Sequence, residues 1–442
     1  HMKKYLAENN IKFYIINATA IAEELGLGTR TNTIMQSAFF KVSQVIPYDK
    51  AVDEMKKAIY KTYGRKGDRV VNMNYQAVMK GGEVIEVNVP AEWAKIKIEK
   101  TPDKRNIPAF IRDVVEPINN MEGDNLPVSA FSGREDGTFP PGTSAYEKRG
   151  IAVNVPEWLP EYCIQCNQCA YVCPHAAIRP FLLTEEEASK APEGTKLLQG
   201  IPGVLKAYKY RLQVSVYDCT GCGICENVCP TKTKALMMKP LETQLAESER
   251  WTYMHEKVGY KDSIVDKFLN VKNSQFAQPL FEFSGACSGC GETPYIKLIT
   301  QLFGDRMTIA NATGCSSIYG ASAPSIPYTV NKNGQGPAWA NSLFEDNAEY
   351  GYGMALGTNK LRERIAIKMQ EAIDSKAASS DTEAAFREWL ENRNNAEASR
   401  TASSKVVEAC EKDKSQIAKD IPALKPHLVK KSHWITGGDG WA

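Results

Sequence analysis

The sequence has no long apolar run and almost no net charge. No stretch approaches the ~20 apolar residues that a membrane helix needs, and the N-terminus lacks the apolar core of a signal peptide. With 54 Lys and Arg against 52 Asp and Glu, the formal net charge is +2, which leaves no strong field for nucleic acid or an anionic membrane. These absences predict a soluble, cytoplasmic protein whose partners bind at particular sites.

The composition is that of a folded protein with several domains. The chain has 442 residues, of which 43% are hydrophobic and 24% charged, and a domain usually takes roughly 100–200 residues. A strand is predicted at 13–16, with helices at 31–45 and 50–63, so the first hundred residues indicate an α/β layer. Prolines predict an extended linker over 101–160, and residues 355–420 predict a solvated helical hairpin.

Cysteine is the residue type with the clearest pattern. Eight of the 12 cysteines lie in two runs, at 163–173 and 219–229. Three more are Cys287, Cys290 and Cys315, and Cys410 stands alone. Because no secretion signal is present, this clustering favours metal ligation over disulfides.

Both runs follow the spacing C-x2-C-x2-C-x3-C-P, the bacterial ferredoxin pattern for 4Fe-4S clusters. Three thiolates would surround one cluster, and the fourth cysteine, expected to begin a helix, would reach the other. Gly221 and Gly223 should let backbone N–H groups approach the sulfurs. The predicted ligands are Cys163, Cys166, Cys169 and Cys229 for one cluster, and Cys219, Cys222, Cys225 and Cys173 for the other.

Structural zinc and disulfides are the alternative uses of these cysteine runs. Structural zinc sites usually present two ligand pairs rather than two complete four-cysteine runs, and disulfides are disfavoured inside cells. Two clusters predict electron transfer, under anaerobic or protected conditions. The later CxxC at Cys287 and Cys290 is weak evidence by itself, but Cys315 in a Gly/Ser loop strengthens a third, three-cysteine cluster site. Cys410 is expected to be an ordinary helix residue.

The chain resembles the single-chain, thiamine-dependent pyruvate:ferredoxin oxidoreductases. The resemblance rests on both runs and on FSGACSGCGETPY at 283–295, ATGCSSIYGASAPSIPYT at 312–329, GPAWANSLFEDNAEYGYGMALG at 336–357 and SHWITGGDGWA at 432–442. The resemblance covers nearly the whole of this chain, which corresponds only to a C-central part of the family sequence. It implies an α/β multidomain fold, with these parts: 3–102, the later half of a coenzyme A-binding-type α/β domain; 103–142, a short connecting domain; 143–260, a ferredoxin-like α+β domain; 261–442, the N-terminal part of a thiamine diphosphate-binding α/β domain.

The resemblance implies roles for the residues after the ferredoxin-like part. Cys287, Cys290 and Cys315 match three ligands of a third 4Fe-4S cluster, the one nearest the thiamine, whose fourth ligand lies further downstream in the family. Glu292, in the CGE motif, matches a position that lines the thiamine site and is assigned there as a catalytic residue.

The GGDG motif matches the start of the family's thiamine diphosphate motif, at Gly438, Asp439 and Gly440. The resemblance implies that Asp439 ligates Mg²⁺, which prefers hard oxygen ligands and bridges a diphosphate. Taken alone, Gly-Asp-Gly is also common in turns. The chain stops two residues later, where the motif should continue.

Coenzyme A contacts are the least determined part of the sequence. Arg30, Asn32 and Gln36, beside a Gly-rich loop, could contact polar groups of the cofactor. Helix capping and solvated polar positions are the simpler explanation for the same residues.

The resemblance implies oxidative decarboxylation of pyruvate with coenzyme A to acetyl-CoA and CO₂. Electrons would pass through the clusters to ferredoxin or flavodoxin, and the family suggests a homodimer. The competing hypothesis is a stand-alone electron carrier without catalysis. His1 and Met2 are expected to be an expression remnant, and the family's missing domains are expected on other chains or to have been removed. Pyruvate as the substrate rests on the resemblance alone.

Overall fold

The computed structural model describes residues 2–28, 30–97, 105–201, 203–321, 324–438 and 440–441. The chain forms two compact units, His1–Asn106 and Ile107–Ala442. Within the described residues, no helix is both long and apolar enough to cross a membrane.

The first unit combines helices with a small antiparallel sheet. Its elements are α1 (Met2–Glu8), β1 (Phe13–Ile15), α2 (Ala18–Glu24), α3 (Asn32–Ser43), α4 (Tyr48–Tyr63), α5 (Asp68–Gly81) and β2 (Ile85–Val87). The strand and the two helices predicted near its start occur within a few residues of the predicted bounds. Helices α3 and α5 pack closely at Gly81. A Cβ at this position would lie 2.4 Å from the Ile34 carbonyl oxygen on α3, so only glycine fits there.

The proline-rich segment is not an extended linker. Its described part forms short helical turns at Ile111–Val115, α6 (Glu116–Asn119), Gly123–Asn125, Val128–Phe131 and Thr143–Tyr146. Proline fixes φ near −65° and lacks an N–H, which suits the first turn of a helix as well as an extended chain. The prediction of an extended linker was therefore wrong for 111–146, whereas Asn154–Trp158, near the end of the predicted segment, is an extended strand.

The ferredoxin-like region contains two antiparallel strand pairings, β3 with β7 and β4 with β6, and β5 extends the second. Its elements are β3 (Asn154–Trp158), α7 (Gln168–Tyr171), β4 (Ile178–Leu183), α8 (Glu185–Ser189), β5 (Leu198–Gln199), β6 (Lys209–Val214), α9 (Ile224–Val228), β7 (Leu236–Pro240), α10 (Glu247–Tyr253) and α11 (Val271–Ser274). The core between these strands contains Trp158 and Tyr210 together with buried cysteines of both runs.

A three-stranded parallel sheet follows, in the order β10-β8-β9. Its elements are α12 (Thr293–Phe303), β8 (Met307–Ala312), α13 (Cys315–Ala321), β9 (Ala338–Ser342) and, after the helices described next, β10 (Ser432–Thr436). Strand β8 is central and buried, and both of its neighbours follow it in the chain and pair with it in parallel.

The charged stretch at 355–420 is not a two-helix hairpin. It belongs to a bundle of α14 (Asn347–Asp374), α15 (Ser380–Asn392), α16 (Ala396–Lys412) and α17 (Gln416–Asp420). The bundle has its own apolar core, which includes Trp389 and Cys410. Only one face of each helix is apolar, and the other faces carry the charged residues. The high charge content of this stretch therefore did not indicate how many helices share the core.

Candidate iron–sulfur centres and adjoining cofactor site

Strand pairing brings the beginning of each cysteine run close to the end of the other. Strand β3 precedes the first run and pairs with β7, which follows the second run. Strand β4 follows the first run and pairs with β6, which precedes the second. Backbone hydrogen bonds extend both ladders toward the cysteines, from Leu159 N–H to Ala235 O at 2.9 Å and from Ser215 N–H to Ala177 O at 2.8 Å. The chain therefore crosses between the two sites.

Two small cavities lie at the ends of these ladders. Each is lined by the four cysteines that the sequence predicts for one cluster. Cys163, Cys166, Cys169 and Cys229 line the first cavity, and Cys173, Cys219, Cys222 and Cys225 line the second. Their role as cluster ligands stays a prediction, but the structure brings together both predicted sets.

The two loops share one backbone conformation although their sequences differ. The third and fifth residues of each run have left-handed φ angles: 57° at Gln165 and 59° at Asn167, and 71° at Gly221 and 74° at Gly223. In the second run the Gly221 N–H lies 3.4 Å from the Cys219 sulfur, as the sequence predicts. In the first run the side chain of Asn167 supports the left-handed turn by accepting a hydrogen bond from the Tyr210 hydroxyl at 2.8 Å.

The electrostatics of both cavities fit a cationic iron–sulfur centre. Burial is the main cause that raises the pKa of Cys219 to about 12, and burial also raises the pKa values of Cys163, Cys169 and Cys225, with neighbouring cysteines adding to the effect in each. A buried thiolate is stable when a cation binds it. For Cys229 burial is outweighed by hydrogen bonds from Thr231 and the Ala235 N–H, which lower the pKa of this thiol.

The sulfurs surround space rather than converging on one point. Within the described parts of the chain, no group of three or more His, Cys, Asp or Glu side chains is placed to hold a single metal ion. An all-cysteine set around a cavity, with N–H donors at the sulfurs, has the donor chemistry that a four-iron cluster requires.

The fourth cysteine of each run does not begin a helix, contrary to the sequence prediction. Helix α7 ends at Tyr171, before Cys173, and Cys229 follows α9 in an extended conformation with ψ of 120°. The cause is the proline that comes next in both runs, because the ring of a proline disfavours helical conformation in the preceding residue.

The third cysteine loop packs against the second run. The Ser288 hydroxyl donates to the Thr220 carbonyl oxygen at 3.1 Å, and a Cβ at Gly289 would lie 3.7 Å from the Cβ of Cys222. His175, two residues after Cys173, places Nε2 at 3.0 Å from the Ala286 carbonyl oxygen. This loop therefore lies directly beside the cavity that the second run lines.

The three cysteines of the third group are accessible. Cys287 and Cys315 are exposed and Cys290 is half-buried. Burial, followed by the Glu292 carboxylate, raises the pKa of the Tyr319 hydroxyl on α13. This electrostatic interaction connects the CxxC loop with the helix that begins at Cys315. Cys410 lies elsewhere, in the apolar core of the helical bundle.

A polar network lies at the carboxyl ends of the parallel strands. The Asn311 side chain donates to Asn341 Oδ1 at 2.9 Å and accepts from the Thr436 hydroxyl at 3.0 Å. These residues come from all three strands of the sheet. Ligands in open parallel sheets bind at this edge, where neighbouring connections leave in opposite directions. The sequence reasoning did not single out these three residues.

The GGDG segment lies at the same edge. A Cβ at Gly438 would be 3.0 Å from the Cys315 backbone nitrogen, so glycine permits close contact with the start of α13. Trp441 N–H donates to Gly438 O at 3.0 Å, which closes a turn that includes Gly440. Asp439, the predicted magnesium ligand, lies outside the described residues.

Two buried polar oxygen atoms lie near this edge. Within the described chain, Glu292 Oε2 and Asn347 Oδ1 are buried and form no hydrogen bond. Asn347 begins α14, and its amide nitrogen donates to Thr436 O at 2.9 Å. Buried polar atoms are almost always hydrogen-bonded in complete sites, so these orphan oxygens fit a polar ligand such as the cofactor that the resemblance implies.

The predicted coenzyme A residues belong to the first unit. Arg30, Asn32 and Gln36 are all exposed, in the loop before α3 and on its first turns. Thr31, not Asn32, is the N-cap residue of α3. The contacts of these three residues within the described chain do not distinguish coenzyme A binding from simple exposure to solvent, so the coenzyme A assignment stays a prediction.

Comparisons with known proteins cover every part of the chain. A family model described as pyruvate ferredoxin/flavodoxin oxidoreductase matches residues 2–84, and one described as a 4Fe-4S dicluster domain matches 162–233. A domain of unknown function matches 97–152. The pyruvate-flavodoxin oxidoreductase of Enterobacter agglomerans is 53% identical over 100% of this chain and 38% of its own length.

Two further relatives agree with this match. The pyruvate:ferredoxin oxidoreductase of Moorella thermoacetica is 50% identical over 100% of this chain and 38% of its own length. This chain is related to pyruvate:ferredoxin and pyruvate-flavodoxin oxidoreductases. The mitochondrial NADP⁺-dependent pyruvate dehydrogenase of Euglena gracilis is 42% identical over 100% of this chain and 24% of its length. The chain thus spans well under half the length of the oxidoreductases that it matches.

Sequence reasoning missed several residues that shape the site, and one signal could have found two of them. Aligning the runs places Gln165 and Asn167 opposite Gly221 and Gly223, which would have indicated left-handed turns in both loops. Lys297, which is buried beside α7, had no such signal because a lysine in a helical pattern is usually exposed.

Proposed function

We propose that this chain supplies the electron-transfer path, and one wall of the thiamine site, of a pyruvate:ferredoxin or pyruvate:flavodoxin oxidoreductase. The reaction is oxidative decarboxylation of pyruvate with coenzyme A, which yields acetyl-CoA, CO₂ and two electrons. Bound thiamine diphosphate supplies the electron sink for decarboxylation, and each iron–sulfur cluster stores one electron. The 50% and 53% identical relatives support this reaction.

The observation that carries the proposal is the arrangement of the three cysteine groups in series. The loop with Cys287 and Cys290 contacts the second run through Ser288 and Gly289. The single helical turn α7 then links the second cavity to the first, because it carries Cys169 and is followed by Cys173. Electrons can therefore move from the thiamine edge through three adjacent sites toward the cavity around Cys163.

The residues at the sheet edge have binding and positioning tasks. Gly438 lets the diphosphate motif approach the start of α13, while Asn347 Oδ1 and Glu292 Oε2 offer acceptors for the donors of a bound cofactor. Tyr319 on α13 interacts electrostatically with the Glu292 carboxylate. Glu292 and the glycine turn thus form the wall that lies nearest to the third cysteine group.

A stand-alone electron carrier is the second candidate function. The geometry that favours it is that all eight ferredoxin-type cysteines line complete cavities within this chain.

Ferredoxin and flavodoxin are the acceptors in the names of two relatives, whereas a third is named for NADP⁺. The external acceptor therefore depends on features outside the cluster sites, and we propose ferredoxin or flavodoxin.

One set of measurements separates the two functions. The chain, purified anaerobically, should contain roughly four iron and four sulfide per run. Substitution Cys166→Ser should remove iron, whereas Cys410→Ser, in the bundle core, should not. Pyruvate-dependent viologen reduction with thiamine diphosphate, Mg²⁺ and coenzyme A, by the chain together with the remaining part of such an oxidoreductase, would support the oxidoreductase. Absence of turnover by that assembly with intact clusters would favour the carrier, and absence of iron in the chain would refute both.

A further inference from the structure

A buried lysine lies beside the helical turn that links the two ferredoxin-type sites. Lys297 is on α12, and 2% of its surface is exposed. Its ammonium donates to the backbone carbonyl oxygens of Ala170 and Tyr171, the latter at 3.0 Å, and to Gln275 Oε1 at 3.1 Å. The three N–H donors of the ammonium are matched by three acceptors, all of them neutral oxygens.

The position of this charge is defined by α7. Cys169, within α7, lines the first cavity, and Cys173, two residues after it, lines the second. The hydrogen bonds to Ala170 O and Tyr171 O place the ammonium between these two cysteines along the chain. Burial lowers the pKa of Lys297 to about 8, and Arg179 also lowers it, while Cys173 and Cys169 raise it.

A second buried cation nearby provides a contrast. Arg179 is equally buried but forms an ion pair with the carboxylate of Glu282, so its charge is compensated. The Lys297 ammonium has dipoles, not a counter-ion, as its partners. In a medium of low dielectric constant such a charge stabilises the reduced, more negative form of an adjacent cluster and raises its reduction potential.

We infer that Lys297 is a positioning residue for electron transfer, holding a fixed positive charge beside α7 that raises the reduction potentials of both ferredoxin-type clusters. The inference rests on the proposed function, since it requires clusters at the two four-cysteine sites. Each cluster gains or loses one electron, no bond forms or breaks, and the proton on Lys297 stays in place. The side chain acts on the energy of the reduced clusters and touches no substrate.

The test compares three substitutions at this position in the anaerobically purified chain with its clusters. Lys297→Met removes the charge and the hydrogen bonds, Lys297→Gln removes the charge but keeps an amide donor, and Lys297→Arg keeps the charge. Redox titration followed by electron paramagnetic resonance measures the midpoint potential of each cluster. Both neutral variants should shift both midpoints to more negative values, and the arginine variant should stay near the unsubstituted chain.

A matched control comes from Lys267, a half-buried lysine, which donates to the carbonyl oxygen of Gln301 on α12 at 2.9 Å. The charged groups that act most strongly on its pKa are the carboxylates of Asp305 and Asp262, so Lys267→Met should leave both midpoints unchanged. Unchanged midpoints in a neutral Lys297 variant with full iron content would overturn the inference. Loss of iron from both neutral variants would also overturn it, because Lys297 would then be needed for assembly. Absence of iron in the unsubstituted chain would instead refute the proposed function.

Discussion

At the scale of single residues, backbone conformation decides how a cysteine loop surrounds its site. The first run reaches the left-handed region with Gln165 and Asn167, and the second with Gly221 and Gly223. Left-handed conformation is unfavourable for side chains other than glycine by about 1–2 kcal/mol. Asn167 offsets this strain because its amide nitrogen donates to Lys272 O at 3.0 Å and its oxygen accepts from Tyr210.

Gly223→Ala isolates the conformational part of this effect. A Cβ at Gly223 would meet no atom within 4 Å, so only the φ of 74° opposes alanine. We expect the substitution to lower the free energy of unfolding by about 1–2 kcal/mol. The unfolding temperature of the cluster-loaded chain, at a fixed scan rate, measures the change.

Gly291→Ala is the matched control for this prediction. A Cβ at Gly291 also meets nothing within 4 Å, but its φ lies outside the left-handed region. The two variants should therefore differ. Equal unfolding temperatures would show that the left-handed position in the second run carries no strain.

At the scale of elements, a buried ion pair joins β4 to the strand-like segment before the third cysteine loop. Arg179 on β4 pairs with Glu282, and their side chains are 2% and 4% exposed. Arg179 also donates to the Ala176 carbonyl oxygen at 2.8 Å and to the Tyr260 hydroxyl at 2.5 Å. The pair thus fixes the third loop relative to the ferredoxin-like core.

Breaking one side of this pair should be strongly destabilising. Arg179→Met leaves the Glu282 carboxylate buried without a cation, which typically costs about 3–5 kcal/mol. The double variant Arg179→Met/Glu282→Leu removes both charges and should recover much of that loss. Denaturant unfolding followed by circular dichroism measures the free energy of unfolding of the unsubstituted chain, the single variant and the double variant.

The exposed pair Lys190–Glu186 provides the comparison, with side chains 66% and 76% exposed. Lys190→Met should leave the unfolding transition in place, because solvent screens exposed ion pairs. A double variant as unstable as Arg179→Met alone would contradict this account of the buried pair.

At the scale of the whole molecule, the second unit contains separate apolar cores. The core around Trp158 includes cysteines from both runs, whereas the helical bundle packs around Trp389 and Cys410. The proposed clusters would therefore fill space in one core and not in the other. Stability that depends on iron should be local to the ferredoxin-like strands.

Removal of iron tests this separation. After anaerobic chelation, the thiols around both cavities would be protonated and would no longer be held by metal, so β3 to β7 should lose protection against hydrogen exchange. Peptides from α14 to α16 should keep their protection. Exchange measured by mass spectrometry distinguishes the two regions, and uniform loss of protection across the second unit would contradict the prediction.

Much of the local structure and chemistry could be predicted from the sequence, and the errors have physical causes. The spacing of the runs predicted which cysteines share a cavity. Three cysteines with two residues between each pair must lie on one short loop. The helix expected at Cys229 was excluded by the following proline. The prediction of a hairpin after residue 355 was wrong because helical composition alone does not show how many helices share a core.

Residue type and spacing are enough to establish the two four-cysteine patterns, the resemblance to pyruvate:ferredoxin oxidoreductases and the isolation of Cys410 from the cysteine groups. A chain carries these features in any conformation. The contact of the Cys287 loop with the second run and the position of the Lys297 ammonium beside α7 exist only in the folded chain. Such contacts join residues more than sixty positions apart, and they arise from strand pairing and burial that no local pattern encodes.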